Sequence, residues 1–460
     1  MRERIAARVA TPVDIASLAA FRFLFGLVLL AAIVRFISKG WVRELYVEPA
    51  FHFAYPGFEW IRPWPDAFMH LHFVLLALLA VGVALGFFYR ICITLFFLGF
   101  TFVELLDQTA YLNHYYLISL ISGLMIFLPA NRAWSIDAWR KPGIRVDTVS
   151  AWCLNVLRFQ VGVVYLFAGL AKLNADWLFQ AQPLRIWLAA RSDLPMVGWW
   201  LDKLWVAYAA SWLGAIFDLC IVFFLLGQLT RRPAYALLVV FHVATGLLFN
   251  IGMFPWIMIV AATLFFPAGW PRYWLARFSM FLSSRFKSVQ LARRVHAAVA
   301  LEHAPRRPPG RATGCLLAVL GSYAAVQLAL PLRPYFALEP SAWTGSGFNC
   351  AWQVMVAEKT GFAEFYAGDS ATGRRWKLSL KSYLTPRQEA MMAQDPYLIQ
   401  SMARRLAADL KDRGLSNVQI KVNAFATLNG RPSQQLINNE VDLAGTLSPG
   451  WIQSLAHRED

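Results

Sequence analysis

Apolar residues in this chain come in long unbroken blocks, not in the one-sided stripes of soluble helices. The blocks 15–37, 68–88, 91–107, 114–129, 152–172, 206–226, 233–250, 253–268 and 313–332 are each near the roughly 17–25 residues that cross a bilayer as a helix. They predict a polytopic α-helical membrane domain over 1–334, with about nine spans. From 335 to 460 the pattern changes. The runs Trp352 to Glu358 and Trp376 to Leu380 alternate like strands, with a turn at Gly368 to Ser370 between them. Thr385 through Leu410 reads as one helix, opened by Thr385-Pro386 and closed near Gly414. Gln419 to Leu428 resumes strand character, and Asn429-Gly430 makes a hairpin turn. This is a C-terminal extramembrane α+β, strand-rich domain, large enough for its own core.

Composition agrees: 58% of the 460 residues are hydrophobic and 15% charged, against about 25% charged in soluble domains. The net charge of +16 lies between the apolar blocks, and no nucleic-acid-binding signature accompanies it, so nucleic acid is excluded as a partner. Arg2, Arg4 and Arg8, then Arg90, then Arg132, Arg140, Lys141 and Arg145, then Arg231 and Arg232, and finally the basic loop 269–312 fall on one side if the N-terminus is cytoplasmic. Nine crossings then export the C-terminal domain to the outer side. An alternative for that last loop is a surface-lying helix around 275–300. The stretch 15–37 is too long for a signal-peptide core and reads as a retained first span. The chain has no Asn-X-Ser/Thr acceptor and favours Arg over Lys, which points to a bacterial inner membrane. Five cysteines without a CxxC pair, and His70 and His72 on different helix faces, indicate neither a disulfide framework nor a metal site.

Lys172 ends the apolar run 157–172. A lysine at a helix end snorkels to the interface or, desolvated as a neutral amine, serves as a base. Under this topology Asp107, Asn113-His114, Lys172, His242 and Asn250 fall toward the outer half of the membrane, with Arg22 and Arg158 nearer the inner ends. Asp107 is either a helix cap or a functional acid. His242 is either an interhelical hydrogen bonder or a ligand-binding group. Arg22 and Arg158 suit ion-pair or headgroup contacts, with Glu104 available to either. A base, an imidazole and an amide on one side of a bilayer suggest proton transfer involving a membrane-soluble substrate.

The residues that carry a resemblance run Leu85-Gly86-Phe87-Phe88-Tyr89-Arg90-Ile91, Leu105-Leu106-Asp107-Gln108-Thr109, Asn113-His114-Tyr115-Tyr116-Leu117 and Trp134-Ser135-Ile136-Asp137. They continue through Val156-Leu157-Arg158, Ala168-Gly169-Leu170-Ala171-Lys172-Leu173-Asn174-Ala175-Asp176-Trp177, Phe241-His242 and Leu248-Phe249-Asn250-Ile251-Gly252-Met253-Phe254 to Trp352 and Val441-Asp442. Over roughly 14–445 the chain resembles the vitamin K-dependent gamma-carboxylase family. The resemblance implies an enzyme that oxygenates a reduced vitamin K-type quinone with O2, menaquinol being plausible in a bacterium. The alkoxide so formed removes a γ-proton from a peptide glutamate, and CO2 adds while the quinone becomes its epoxide. Lys172 matches the lysine that deprotonates the hydroquinone, and His114 a histidine that supports it. Asn113, Asp107, His242, Asn250, Arg158, Trp177, Trp352 and Lys359 are the matching substrate- or quinol-binding candidates. The lipid bilayer, a lipid quinol and a protein or peptide substrate are the expected partners.

The chain departs from the family at three places. Tyr111-Leu112 stands where the family has Trp-Asn. Ala357 replaces a histidine of the animal glutamate-binding segment, and Lys359 an arginine. The alternatives are therefore a quinol-dependent enzyme without glutamate carboxylation and a non-enzymatic transporter or scaffold. No internal repeat of the transporter kind is evident.

Overall fold

In a computed structural model of the chain, the structure describes residues 2–283, 311–337, 340–369, 373–415, 418–446 and 450–453. The helices are α1 (Arg2–Ala10), α2 (Ala16–Ser38), α3 (Asp66–Leu85), α4 (Tyr89–Leu105), α5 (Asn113–Phe127), α6 (Ile136–Arg140) and α7 (Trp152–Ala171). They continue with α8 (Ala175–Gln180), α9 (Leu184–Ala189), α10 (Gly198–Leu201), α11 (Leu204–Leu226), α12 (Arg231–Leu248), α13 (Phe254–Ala262), α14 (Trp270–Ser283) and α15 (Arg311–Ala329). The C-terminal region adds α16 (Ser341–Thr344), α17 (Pro386–Met392) and α18 (Pro396–Asp412).

Each of the nine apolar blocks is largely helical, but nine crossings are not reached. Among the described residues five helices are long and apolar enough to cross a membrane, in α2, α3, α7, α11 and Gly314–Phe336. A sixth arises only if Phe254–Phe265 and Trp270–Met280, bent by 92°, act together. The shortfall has a physical cause. α4 has 17 residues with Arg90 and Glu104 at its ends, α5 has 15, and α12 opens on Arg231-Arg232. Of the surface-lying helix expected around 275–300, the part to Ser283 is helical, and the remainder lies outside the described residues.

One end of the helical body is tied by polar contacts. Strand β1 (Pro12–Asp14) pairs antiparallel with β2 (Thr148–Ser150). Arg272 bonds Asp14 at 2.9 Å, and Arg22 donates to the Trp134 carbonyl at 2.6 Å. The Asp137 carboxylate accepts from the Phe88 and Tyr89 amides, which caps α4. The family-like Trp134–Asp137 stretch thus closes helix ends. Glu104, considered as a partner for Arg22 or Arg158, instead accepts from Ser119 at 2.7 Å.

The opposite end carries the C-terminal domain, a four-stranded antiparallel sheet in the order β4-β3-β5-β6, with β3 Lys359–Asp369, β4 Arg375–Leu378, β5 Val418–Leu428 and β6 Gln434–Gln435. Alternation along β5 sends Ile420, Val422, Ala424, Ala426 and Leu428 inward. They meet Ile399, Met402, Ala403 and Leu406 of α18. Two sequence expectations are corrected. Trp352 to Glu358 is not a strand, because Trp352 and Met355 have φ of +56° and +55°. The single helix over 385–410 breaks at Pro396, where Asp395 is extended and caps α18 through the Tyr397 and Leu398 amides. The turn residue Ser370 lies outside the described residues.

Candidate functional site

Lys172 stands at the C-terminal end of α7, where α11 crosses at close range. Gly169, one turn earlier, permits this approach: a Cβ there would lie 2.9 Å from the Leu219 backbone nitrogen. The neighbouring Asp218 is thereby brought in, and its Oδ2 is 2.8 Å from Lys172 Nζ, with both side chains less than a tenth exposed. Nζ also donates to the Ala168 carbonyl at 3.1 Å and to the Val354 carbonyl at 3.4 Å. It sits 5.1 Å from the ring centre of Trp177. That ring is fixed in turn, because Trp177 Nε1 donates to the Ser211 carbonyl and the Ser211 hydroxyl to the Trp177 carbonyl. The sequence allows a lysine that snorkels to the interface or a desolvated neutral amine; the structure buries the side chain and gives it a carboxylate partner.

Val354 belongs to a strap that leaves the C-terminal domain and descends among the helices. Its backbone has positive φ at Cys350, Trp352 and Met355, an arrangement that non-glycine residues hold only where surrounding contacts enforce it. Those contacts are visible. Trp352 is fully buried in the membrane-domain core, 5.0 Å from the Tyr116 ring. The Cys350 amide donates to the Tyr111 hydroxyl at 2.7 Å, and that hydroxyl donates to Asn113 Oδ1 at 3.1 Å. Asn113 Nδ2 then donates to the Gln353 carbonyl at 3.4 Å. Two sequence candidates, Asn113 and Lys172, therefore hold successive carbonyls of one strap. Tyr111, noted only as a departure from the family, is what anchors it.

The two histidines join through aromatic packing. His242 Nε2 lies 2.7 Å from the Tyr165 hydroxyl, two turns before Lys172 on α7. Phe254 packs on both imidazoles, at 6.0 Å from His242 and 6.4 Å from His114. Gly252, at φ +63°, leaves room for His114, since a Cβ there would stand 3.2 Å from its Nε2. His242 Nδ1 and Trp352 Nε1 are buried with no hydrogen-bond partner among the described residues.

The remaining candidates lie elsewhere. Asp107 caps the turn at Thr109 and accepts from Gln388 of the C-terminal domain at 2.6 Å. Arg158 donates to the Leu264 and Phe266 carbonyls, closing the far end of α13. Asn250 accepts from Arg191 at 3.5 Å. Lys359 is in the C-terminal domain and donates to the Trp343 and Gln394 carbonyls. Sequence reasoning missed Asp218, Tyr165, and the latch by which Arg431 grips both oxygens of Asp176 at 2.6 Å.

Residues 10–270 match the HTTM domain, and residues 312–454 match the vitamin K-dependent gamma-carboxylase lumenal domain. The chain belongs to the vitamin K-dependent gamma-carboxylase family. No solved structure matches it. The two matches meet at the strap, so the gamma-carboxylase family's membrane and lumenal parts both contribute atoms to the Lys172 cluster. A membrane protein with a gamma-carboxylase-like enzymatic function follows from that membership.

Proposed function

We propose that the chain oxygenates a lipid hydroquinone of vitamin K type to its epoxide. It then uses the strong base generated to remove a γ-proton from a peptide glutamate for CO2 addition. Menaquinol of a bacterial inner membrane is the proposed quinol, with the N-terminus cytoplasmic and the C-terminal domain periplasmic. One observation carries this reading: an amine held out of water at 2.8 Å from a carboxylate, where both domains meet. A modest base suffices for a phenolic hydroxyl but not for a glutamate γ-proton. The oily intermediary explains why the base sits among membrane helices, and dry surroundings protect carbanions from water. The residues fit such a substrate. Aromatic rings surround the polar groups: Trp177 lies beside Lys172, and Phe217, Phe241 and Phe254 pack around Tyr165 and His242. His242 Nδ1, without a hydrogen-bond partner among the described residues, offers a ring oxygen a hydrogen bond.

The test is purified protein in detergent with reduced menaquinone, labelled bicarbonate and a glutamate peptide, reading epoxide and carboxylated peptide separately. Both products are expected, and both vanish in Lys172→Ala that melts like wild type. Absence of any quinol-dependent product from wild type overturns the proposal. A second reading, quinol oxygenation without glutamate carboxylation, is favoured by Lys359. It stands at the family's arginine position yet spends its amine on the Trp343 and Gln394 carbonyls. Epoxide without carboxylated peptide selects this reading.

A further inference from the structure

A substrate that carries a carboxylate calls for a cation to meet it, and four cations around the strap are already engaged. Lys172 is paired with Asp218, and Lys359 donates to the Trp343 and Gln394 carbonyls. Arg431 grips Asp176, and Arg333 donates to the Leu330 and Asn349 carbonyls. Arg35 is placed differently. It lies in the last turn of α2, at the end of the helical body that carries the C-terminal domain. An arginine there ordinarily complements the helix dipole or reaches a lipid headgroup. This guanidinium lies 5.0 Å from the ring centre of Trp41 and is turned toward Gly252, in the loop between α12 and α13. A Cβ built on Gly252 would stand 3.5 Å from Arg35 Nη1 and 3.2 Å from His114 Nε2. Both nitrogens therefore border one space, kept open by a residue without a side chain. Among the described residues the guanidinium has no carboxylate or carbonyl partner.

We infer that Arg35 binds the γ-carboxylate of the acceptor glutamate, in the space bordered by His114 and Gly252. This deepens the function proposed above and rests on it. A guanidinium is always charged and offers a planar fork of N–H donors that matches a carboxylate in bidentate fashion. Contact with Trp41 restrains it without using those donors. A carboxylate seated there also reaches His114, whose ring packs on Phe254 together with that of His242. The next residue back, Asn113, holds the Gln353 carbonyl of the strap. The bound carboxylate thus fixes the adjacent γ-carbon where membrane and C-terminal parts meet. The arginine also opposes the negative charge that spreads onto this carboxylate as the γ-proton leaves for the quinol-derived base. Ala357 supplies no polar side chain and the Lys359 amine is spent within its own domain, so α2 takes over a task that the animal enzymes give to that segment.

The test is equilibrium binding of two fluorescein-labelled peptides to the full chain in detergent. Both have capped ends, and they differ only in carrying one glutamate or one glutamine. Wild type should bind the glutamate peptide more tightly. Arg35→Gln, which keeps length and donors but not charge, should lose about 10–100-fold for the glutamate peptide, the worth of hydrogen bonds to a charged group. Its affinity for the glutamine peptide should not change. Arg35→Lys should recover part of the loss, and guanidinium ion added to Arg35→Ala should recover some as well. Equal weakening of both peptides, with a lowered melting temperature, would make Arg35 a structural residue and overturn the inference. So would unchanged binding of both peptides by an Arg35→Gln that melts lower only in anionic-lipid nanodiscs, the behaviour of a headgroup contact. In turnover, Arg35→Gln should raise the KM for the glutamate peptide by the same factor and leave the KM for reduced menaquinone as it was. A wild type that binds glutamate through Arg35 but makes neither epoxide nor carboxylated peptide would sink the proposed function and leave this site standing. Carboxylation by Arg35→Gln at an unchanged peptide KM would do the reverse.

Discussion

Lys172 and Lys359 are both enclosed amines, one among the membrane helices and one inside the C-terminal domain, and their partners divide them. Lys172 has a carboxyl partner at 2.8 Å, whereas Lys359 is held by the carbonyls of Trp343 and Gln394. Burial pulls the Lys359 amine down to about 8, with Asp395 pulling the other way. Two carbonyls fix a side chain in place and leave its charge uncompensated. A carboxylate does both. Enclosure alone therefore does not decide how a buried lysine's charge is balanced; the partner does.

The sharpest way to break this contrast is to write arginine at both positions. Lys172→Arg keeps a cation opposite Asp218 but replaces a compact ammonium by a planar fork. It should cost about 10²–10⁴-fold in turnover in the detergent assay, while Lys359→Arg, the family's own residue there, should stay within a few-fold of wild type. Equal losses would erase the distinction, and a fully active Lys172→Arg would favour the scaffold alternative. Next in size, Lys172→Met strands Asp218 as an unpaired buried charge, a change that costs about 3–5 kcal/mol, seen as a lowered melting temperature of the membrane domain.

The Lys359 counterpart is a dependence on pH. Unfolded lysine titrates near 10.4. Between about 8 and that value the unfolded chain binds a proton that the folded domain has released, so this residue makes stability rise with pH across the window. Lys359→Met should flatten that rise in a denaturant titration. An unchanged slope would show that the amine is not desolvated. The smallest effect belongs to Arg431→Ala, which unlatches the C-terminal domain from Asp176, four residues beyond Lys172. Partial exposure limits its cost to about 1 kcal/mol. Burial pushes the Asp176 carboxyl up, but Arg431 and Asn429 outweigh it and hold it below the usual range. The latch should accordingly persist on acidification until the pH falls below about 3.9.

What was legible in the sequence follows from which forces act locally. Apolar blocks located α2, α3, α7, α11 and α15, since burial in lipid depends on composition over about 20 residues, but they overcounted the crossings. The β5 strand was legible through its period of two, and the end of α18 through Gly414 at φ +88°. The strap was not, because Trp352 to Glu358 alternates like a strand and only contacts with Tyr111, Asn113 and Lys172 bend it away. Asp218 was legible in principle as a lone acid in an apolar helix, but nothing local announces its partner 46 positions back. Gly169 was quoted as part of a family-like run, while its use, a close crossing of α7 and α11, required the second helix.

Phe53 lies in the loop between α2 and α3, yet it is fully enclosed in the apolar centre of the C-terminal sheet domain. The Phe51 amide beside it donates to the Tyr383 carbonyl, and the Phe51 carbonyl accepts from the Gln388 side-chain amide. A secreted fragment cut free after α15 would thus leave part of its own interior behind in the donor chain. By the usual worth of a buried phenylalanine it would start about 3–5 kcal/mol short. Supplying a peptide spanning residues 50–54 should return much of that deficit, so the boundary between the two halves runs through space and not through the sequence.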